Sequence, residues 1–195
     1  LLLFYYQQVL GLSGTLAGQA LFLALVADAF TDPLVGSISD RFRSRWGRRH
    51  PFMYGSAIPY GLVFFALFSP PAGLGQFGLF VWLSVFAIAT RGILTLYSVP
   101  HMAMGAELTD RYDERTALQS VRVGFSILGN ISVLIGGFAF FFAPNVRFEN
   151  GQLDPDAYPP FAITAAVLMA ATILLSAWGT HDTSPRWRAA PADPE

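Results

Sequence analysis

The sequence contains no cysteine, and every one of its twelve cationic side chains is an arginine. Without cysteine there can be no disulfide, no thiolate nucleophile and no cysteine metal site. Charge is scarce: 13% of the 195 residues carry it, about half the roughly 25% of a soluble domain. The catalytic signatures His-Glu-x-x-His and Gly-x-Ser-x-Gly are missing too, so nothing supports an intramembrane enzyme. A net charge of −1 gives no reason to expect a nucleic-acid partner. No charged start and small-residue cleavage site mark a signal peptide. The chain opens at Leu1 inside an apolar run, so a preceding segment is expected.

Apolar residues make up 53% of the chain, and they come in long runs. A bilayer core about 30 Å thick takes about 20 apolar residues per helix, and inside it a helix satisfies every backbone group. The runs predict an all-α, polytopic membrane helix bundle of about six spans, the first truncated. These spans are 1–10, 15–38, 51–68, 77–106, 118–142 and 161–178. Short turns fall at 11–14 and 69–75, and the longest polar loop at 144–160. The expected division is a six-helix bundle over 1–180 and a polar, proline-rich tail over 181–195 that begins a central linker.

The arginines set an orientation. Arg41, Arg43, Arg45, Arg48, Arg49, Arg111, Arg115, Arg122, Arg186 and Arg188 fall on one side of the predicted spans, and only Arg147 on the other. The positive-inside rule places loops 39–50 and 107–115 and the tail in the cytoplasm, with a bacterial inner membrane as the expected location.

One stretch does not belong in an ordinary span: Asp28-Ala-Phe-Thr-Asp32-Pro-Leu-Val-Gly36. A carboxylate at the bilayer centre costs about 2.5–3.5 kcal/mol even on gentle scales. Two of them four residues apart share one helix face, with Thr31 beside them. Hard cations take oxygen ligands, so Asp28, Thr31 and Asp32 form a candidate site for Na+ or H+. No lysine exists to neutralise the acids. Thr95, at similar depth on the fourth span, can complete the shell. Pro33 is expected to open nearby carbonyls, as broken transporter helices do. Arg91 is the one arginine deep in a span. It can neutralise the acids in a static ion pair, tune the site, grip an anionic substrate group bidentately, or snorkel to the interface. At the cytoplasmic end of the second span, Gly36 is expected to allow close helix approach and Asp40 to take an arginine. Other polar residues have plainer expectations: His101 in helix packing, Asn130 in an interhelical hydrogen bond, and Trp46, Trp82 and Trp178 as interface anchors.

The loop Gly36-Ser-Ile-Ser-Asp40-Arg41, extended by Gly47-Arg48-Arg49, resembles the signature loop of the major facilitator superfamily. With Asp28 to Gly36 ahead of it and Arg43-Ser-Arg45-Trp46-Gly47-Arg48 within it, the chain resembles the glycoside–pentoside–hexuronide:cation symporters. Residues 100–107 and Asp113-Glu-Arg115 extend the likeness over nearly the whole chain. The resemblance implies a twelve-span transporter of which this chain is most of the first half, the C-terminal half lying beyond it. It implies that Asp28, Thr31, Asp32 and Thr95 match the sodium-site positions, with Thr31 in place of an Asn. It implies no cofactor beyond the coupling ion and a sugar or glycoside as substrate. Ser98 and Met102 stand where the family has a sugar-binding carboxylate and a stacking Trp, and Arg122 resembles a substrate-contacting Arg. Cation coupling therefore carries over better than sugar binding. A lysolipid carrier of the same family is an alternative. A membrane scaffold is another, though it predicts no buried acids.

Overall fold

The computed structural model describes residues 1–42, 44, 49–107 and 112–180. They form six helices and no strand. Helix α1 (Leu2–Phe4) passes into a π-helical turn, Tyr5–Val9. Helices α2 (Gly14–Arg41), α3 (His50–Leu67), α4 (Gln76–Glu107), α5 (Tyr112–Gly136) and α6 (Tyr158–Gly179) follow. A second π turn, Gly137–Phe141, extends α5. Four helical segments are long and apolar enough to cross a membrane: Gly14–Arg41, Gln76–Met104, Thr116–Phe141 and Pro155–Gly179. Five complete spans were expected. The remaining one, α3, has 18 residues, about 27 Å at 1.5 Å per residue, and its His, two Tyr and two Pro dilute its apolar character.

Helix ends fall where local chemistry puts them. Ser13 caps α2 by accepting a hydrogen bond from the Leu16 amide at 3.3 Å. That helix continues past Ile38 to Arg41, a cation favoured in a last turn. Acids in the first turn, Asp113 and Glu114, suit an α5 that starts before the expected Leu118. Helix α6 opens on prolines. Pro33 lies within α2, which runs on as α-helix, so the expected local unwinding does not occur.

Packing runs in series: α2 against α4, α4 against α3, α3 against α6. The α2 stripe facing the interior is Ala17, Ala20 and Ala24, all fully buried; small side chains let backbones approach where lipid supplies no hydrophobic drive. Gly36, expected to serve this purpose, has Val99 opposite at an ordinary contact distance, with room for a methyl group. The glycine that a close crossing does require is Gly61. A Cβ there would sit 3.0 Å from the Ala166 carbonyl oxygen of α6.

An aromatic cluster holds the opposite end from Asp40. Tyr5 stacks on Tyr158 at 4.1 Å, with Phe68, Phe142 and Phe161 around them. The Tyr6 hydroxyl donates to the Leu67 carbonyl at 2.8 Å, and the Trp82 indole to that of Ala66 at 2.9 Å. Both carbonyls belong to the last turn of α3, where the helix leaves acceptors without partners. Of the tryptophans expected as interface anchors, Trp82 is half-buried and caps α3, and Trp178 is 73% exposed.

Candidate functional site

Helices α2 and α4 run parallel at one constant offset. The Ser13 amide meets the Gln76 side chain, Asp28 meets Arg91, and Asp32 meets Thr95, each pair 63 residues apart. Gly36 faces Val99 at the same offset. Gln76 fixes the start of this register: it accepts from Ser13 at 2.9 Å and donates to the Gly11 carbonyl at 2.7 Å. Gln76 is a functional residue that apolar periodicity does not flag; its signal in the sequence is a lone amide at the start of a span, opposite a glycine turn.

Two rungs of this ladder carry charge. Arg91 Nε donates to Asp28 Oδ2 in an ion pair. Thr95 Oγ1 donates to Asp32 Oδ1 at 2.8 Å. Asp28 lies 14 residues into the 28 of α2, about 21 Å along the axis, so the rungs sit midway between the helix ends. Two carboxyl groups thus stand near one guanidinium. The Asp28 side chain is 17% exposed and that of Arg91 47%; Asp32 is exposed and Thr95 buried. Both rungs therefore open onto space that the described residues do not fill.

The remaining expected residues divide. Thr31 turns back on its own helix, donating to the Asp28 backbone carbonyl at 3.4 Å, as a helical hydroxyl does when no neighbour competes. It does not join Asp32 and Thr95. Ser98 and Met102 continue the α4 stripe of Arg91 and Thr95, since seven and eleven residues return nearly to the same face; Met102 is exposed. Arg122 stands on α5, exposed, close enough to His101 to act on it electrostatically. His101 itself packs its ring on Tyr97, centroids 5.1 Å apart. Asn130 donates to the Ser126 carbonyl of its own helix at 2.9 Å, not across helices as expected. Arg49 reaches Asp40 at 3.5 Å, tying the end of α2 to the start of α3, and Arg41 ends α2. Gly47 and Arg48, with Arg43, Arg45 and Trp46, lie outside the described residues, as does the tail 181–195. Among the described residues no three of His, Cys, Asp or Glu come together as a metal cluster. The donor set at the rungs is carboxylate and hydroxyl oxygen, which suits a hard monovalent cation.

The family described as MFS/sugar transport protein matches residues 1–195, the whole chain. The chain belongs to that family. With its membrane-length helices it is an integral membrane protein, and the resemblance to the glycoside–pentoside–hexuronide:cation symporters is borne out. It is 42% identical over 139 residues to an uncharacterized symporter of Synechocystis sp., covering 69% of this chain and 26% of that protein. It is 36% identical over 133 residues to an Escherichia coli protein provisionally named a glycoside/cation symporter, covering 68% and 29%. Against the lactose permease of Lactobacillus delbrueckii it is 30% identical over 169 residues, covering 84% and 26%. The matched part thus spans between a quarter and a third of these relatives' length.

Proposed function

We propose that this chain is the cation-binding part of a secondary transporter that couples sugar or glycoside uptake to Na+ or H+. The observation that carries this reading is the pair of rungs. Two carboxylates of one helix sit midway along it, and each is met by α4. Intramembrane acids of this kind mark ion pathways. The family membership and the symporter names of relatives support the same reading. Asp28 and Asp32 are the charged ligands, Thr95 a neutral one, and Thr31 a weaker candidate because its hydroxyl points along α2. Arg91, Ser98, Met102 and Arg122 face or flank the space where substrate would lie. The C-terminal half closes that space, since such sites lie between repeats at the membrane midplane. The arginine-rich loops 39–50 and 107–115 and the tail 181–195 are cytoplasmic, in a bacterial inner membrane, the tail starting the linker to the second half.

The test is uptake by the full-length protein in liposomes under imposed Na+ or H+ gradients, over a panel of glycosides. Asp28→Asn and Asp32→Asn should each abolish gradient-driven accumulation while leaving substrate exchange measurable. Unchanged cation stimulation in both variants would refute the site. Uptake of lysolipids but of no sugar would move the substrate class to an amphiphile.

A further inference from the structure

The Asp28–Arg91 pair gives the site a property that two carboxylates alone would lack. A cation held between Asp28 and Asp32 needs oxygens from both. Among the described residues, the hydrogen bond of the Arg91 side chain is the one from Nε to Asp28, and Asp28 is largely covered while Arg91 stays half exposed. Asp32, by contrast, accepts only a neutral hydroxyl and is open. One carboxylate therefore already carries a tethered cation. Guanidinium is weakly hydrated and keeps its charge at any physiological pH, so it does not leave by deprotonation. It leaves only by swinging aside, and its exposed side faces the space into which it can swing.

We propose that Arg91 is a built-in counter-ion that competes with the transported cation for Asp28. It thereby determines how tightly the site holds Na+. This rests on the cation-site reading above and adds to it a residue that opposes the ion. With Arg91 docked, Asp28 Oδ2 is taken and the charge of that carboxylate is offset, so a cation is left Asp28 Oδ1, Asp32 and Thr95 without the full attraction of two carboxylates. Full engagement of Asp28 requires the guanidinium to release it, and the cost of that release appears as weakened Na+ affinity.

The experiment is a thermal-shift titration of purified full-length protein with NaCl against choline chloride at constant ionic strength, without substrate. The variants are Arg91→Gln, Arg91→Lys and Asp32→Asn. Arg91→Gln, which keeps a donor near Asp28 but no charge, should lower the half-saturating Na+ at least about tenfold, the scale of one charge-assisted contact. Arg91→Lys, still a cation, should stay near wild type. A sodium response in Arg91→Gln with none in wild type supports the proposal most directly. The same midpoint in wild type and Arg91→Gln, with the response lost in Asp32→Asn, overturns the role of Arg91 and leaves the cation site standing. No response in wild type or in Arg91→Gln overturns the proposal and removes Na+ as the ion of the site, leaving H+ to the uptake assay above. If Arg91→Gln folds poorly, sodium in the extraction buffer should restore monodisperse protein, because the vacated Asp28 then gains a counter-ion. Aggregation in both salts overturns the proposal.

Discussion

Replacing Thr95 with Val probes the second rung and leaves the first untouched. The threonine is buried, and its hydroxyl donates to Asp32 at 2.8 Å. Valine keeps the branched shape and removes the oxygen. In the cation-free state Asp32 loses one donor but is exposed, so water replaces it at little cost. In the proposed bound state the hydroxyl serves twice, its proton on Asp32 and its lone pair on the ion, and valine does neither. A hydrogen bond to a charged group contributes about 1.5–3 kcal/mol. The open position of Asp32 argues for the lower end, and about 1.4 kcal/mol is tenfold in affinity. Thr95→Val should therefore raise the half-saturating cation about tenfold, with the maximal uptake rate and the substrate KM at saturating cation nearly unchanged. Thr95→Ser should remain close to wild type. The assay is uptake by the full-length protein in liposomes across a range of Na+ concentrations. An unchanged half-saturation in Thr95→Val would remove Thr95 from the ligand set. A serine variant as weak as the valine one would show that the methyl group, not the oxygen, matters.

Two further outcomes test the fold and its orientation. Gly61→Leu forces a side chain against the Ala166 carbonyl, where a Cβ already comes to 3.0 Å; overpacking of this kind costs about 1–3 kcal/mol, read as a lower Tm of the full-length protein in detergent, whereas Gly55→Leu, where nothing lies within 4 Å, should cost little. Glu149→Cys should react with an impermeant thiol reagent from outside intact cells, and reaction only after permeabilisation would invert the proposed orientation. Glu149 is the better probe than Gly151, since Glu149 is exposed while Gly151 is buried against the carbonyls of Phe142 and Ala143.

Much of the fold was legible because a bilayer imposes one period and one length on every span. Each predicted span overlaps an observed helix, and the differences lie at ends, where capping chemistry outweighs hydropathy. Asp113 and Glu114 look like a charged loop in sequence, yet they occupy the first turn of α5. Acids and depth could be read from sequence; direction could not. Thr31 shares a face with Asp28 and Asp32 on a helical wheel, but its hydroxyl takes a carbonyl of its own helix while that of Thr95 crosses to Asp32, a difference the wheel does not show. Likewise, the choice between a bare dicarboxylate and an arginine-paired one depends on a register of 63 residues that no local pattern encodes.

That register explains why the site lies where it does. Along α2 the stripe toward α4 begins with alanines, at Ala17, Ala20 and Ala24, and these bring the backbones together over the first half of the helix. Beyond Ala24 the stripe reaches Asp28 and Asp32, whose longer side chains meet the side chains of Arg91 and Thr95. Close packing in one half thus sets the depth and pairing of the charges in the other. Ser13 and Gln76 pin the start of the same ladder, 15 residues before Asp28 and Arg91 respectively. A slip of one residue would rotate the acids by about 100° relative to α4 and leave two carboxylates at mid-helix without their partners. The alanine stripe and the Gln76 clamp are therefore positioning elements for the proposed ion site, although neither touches it.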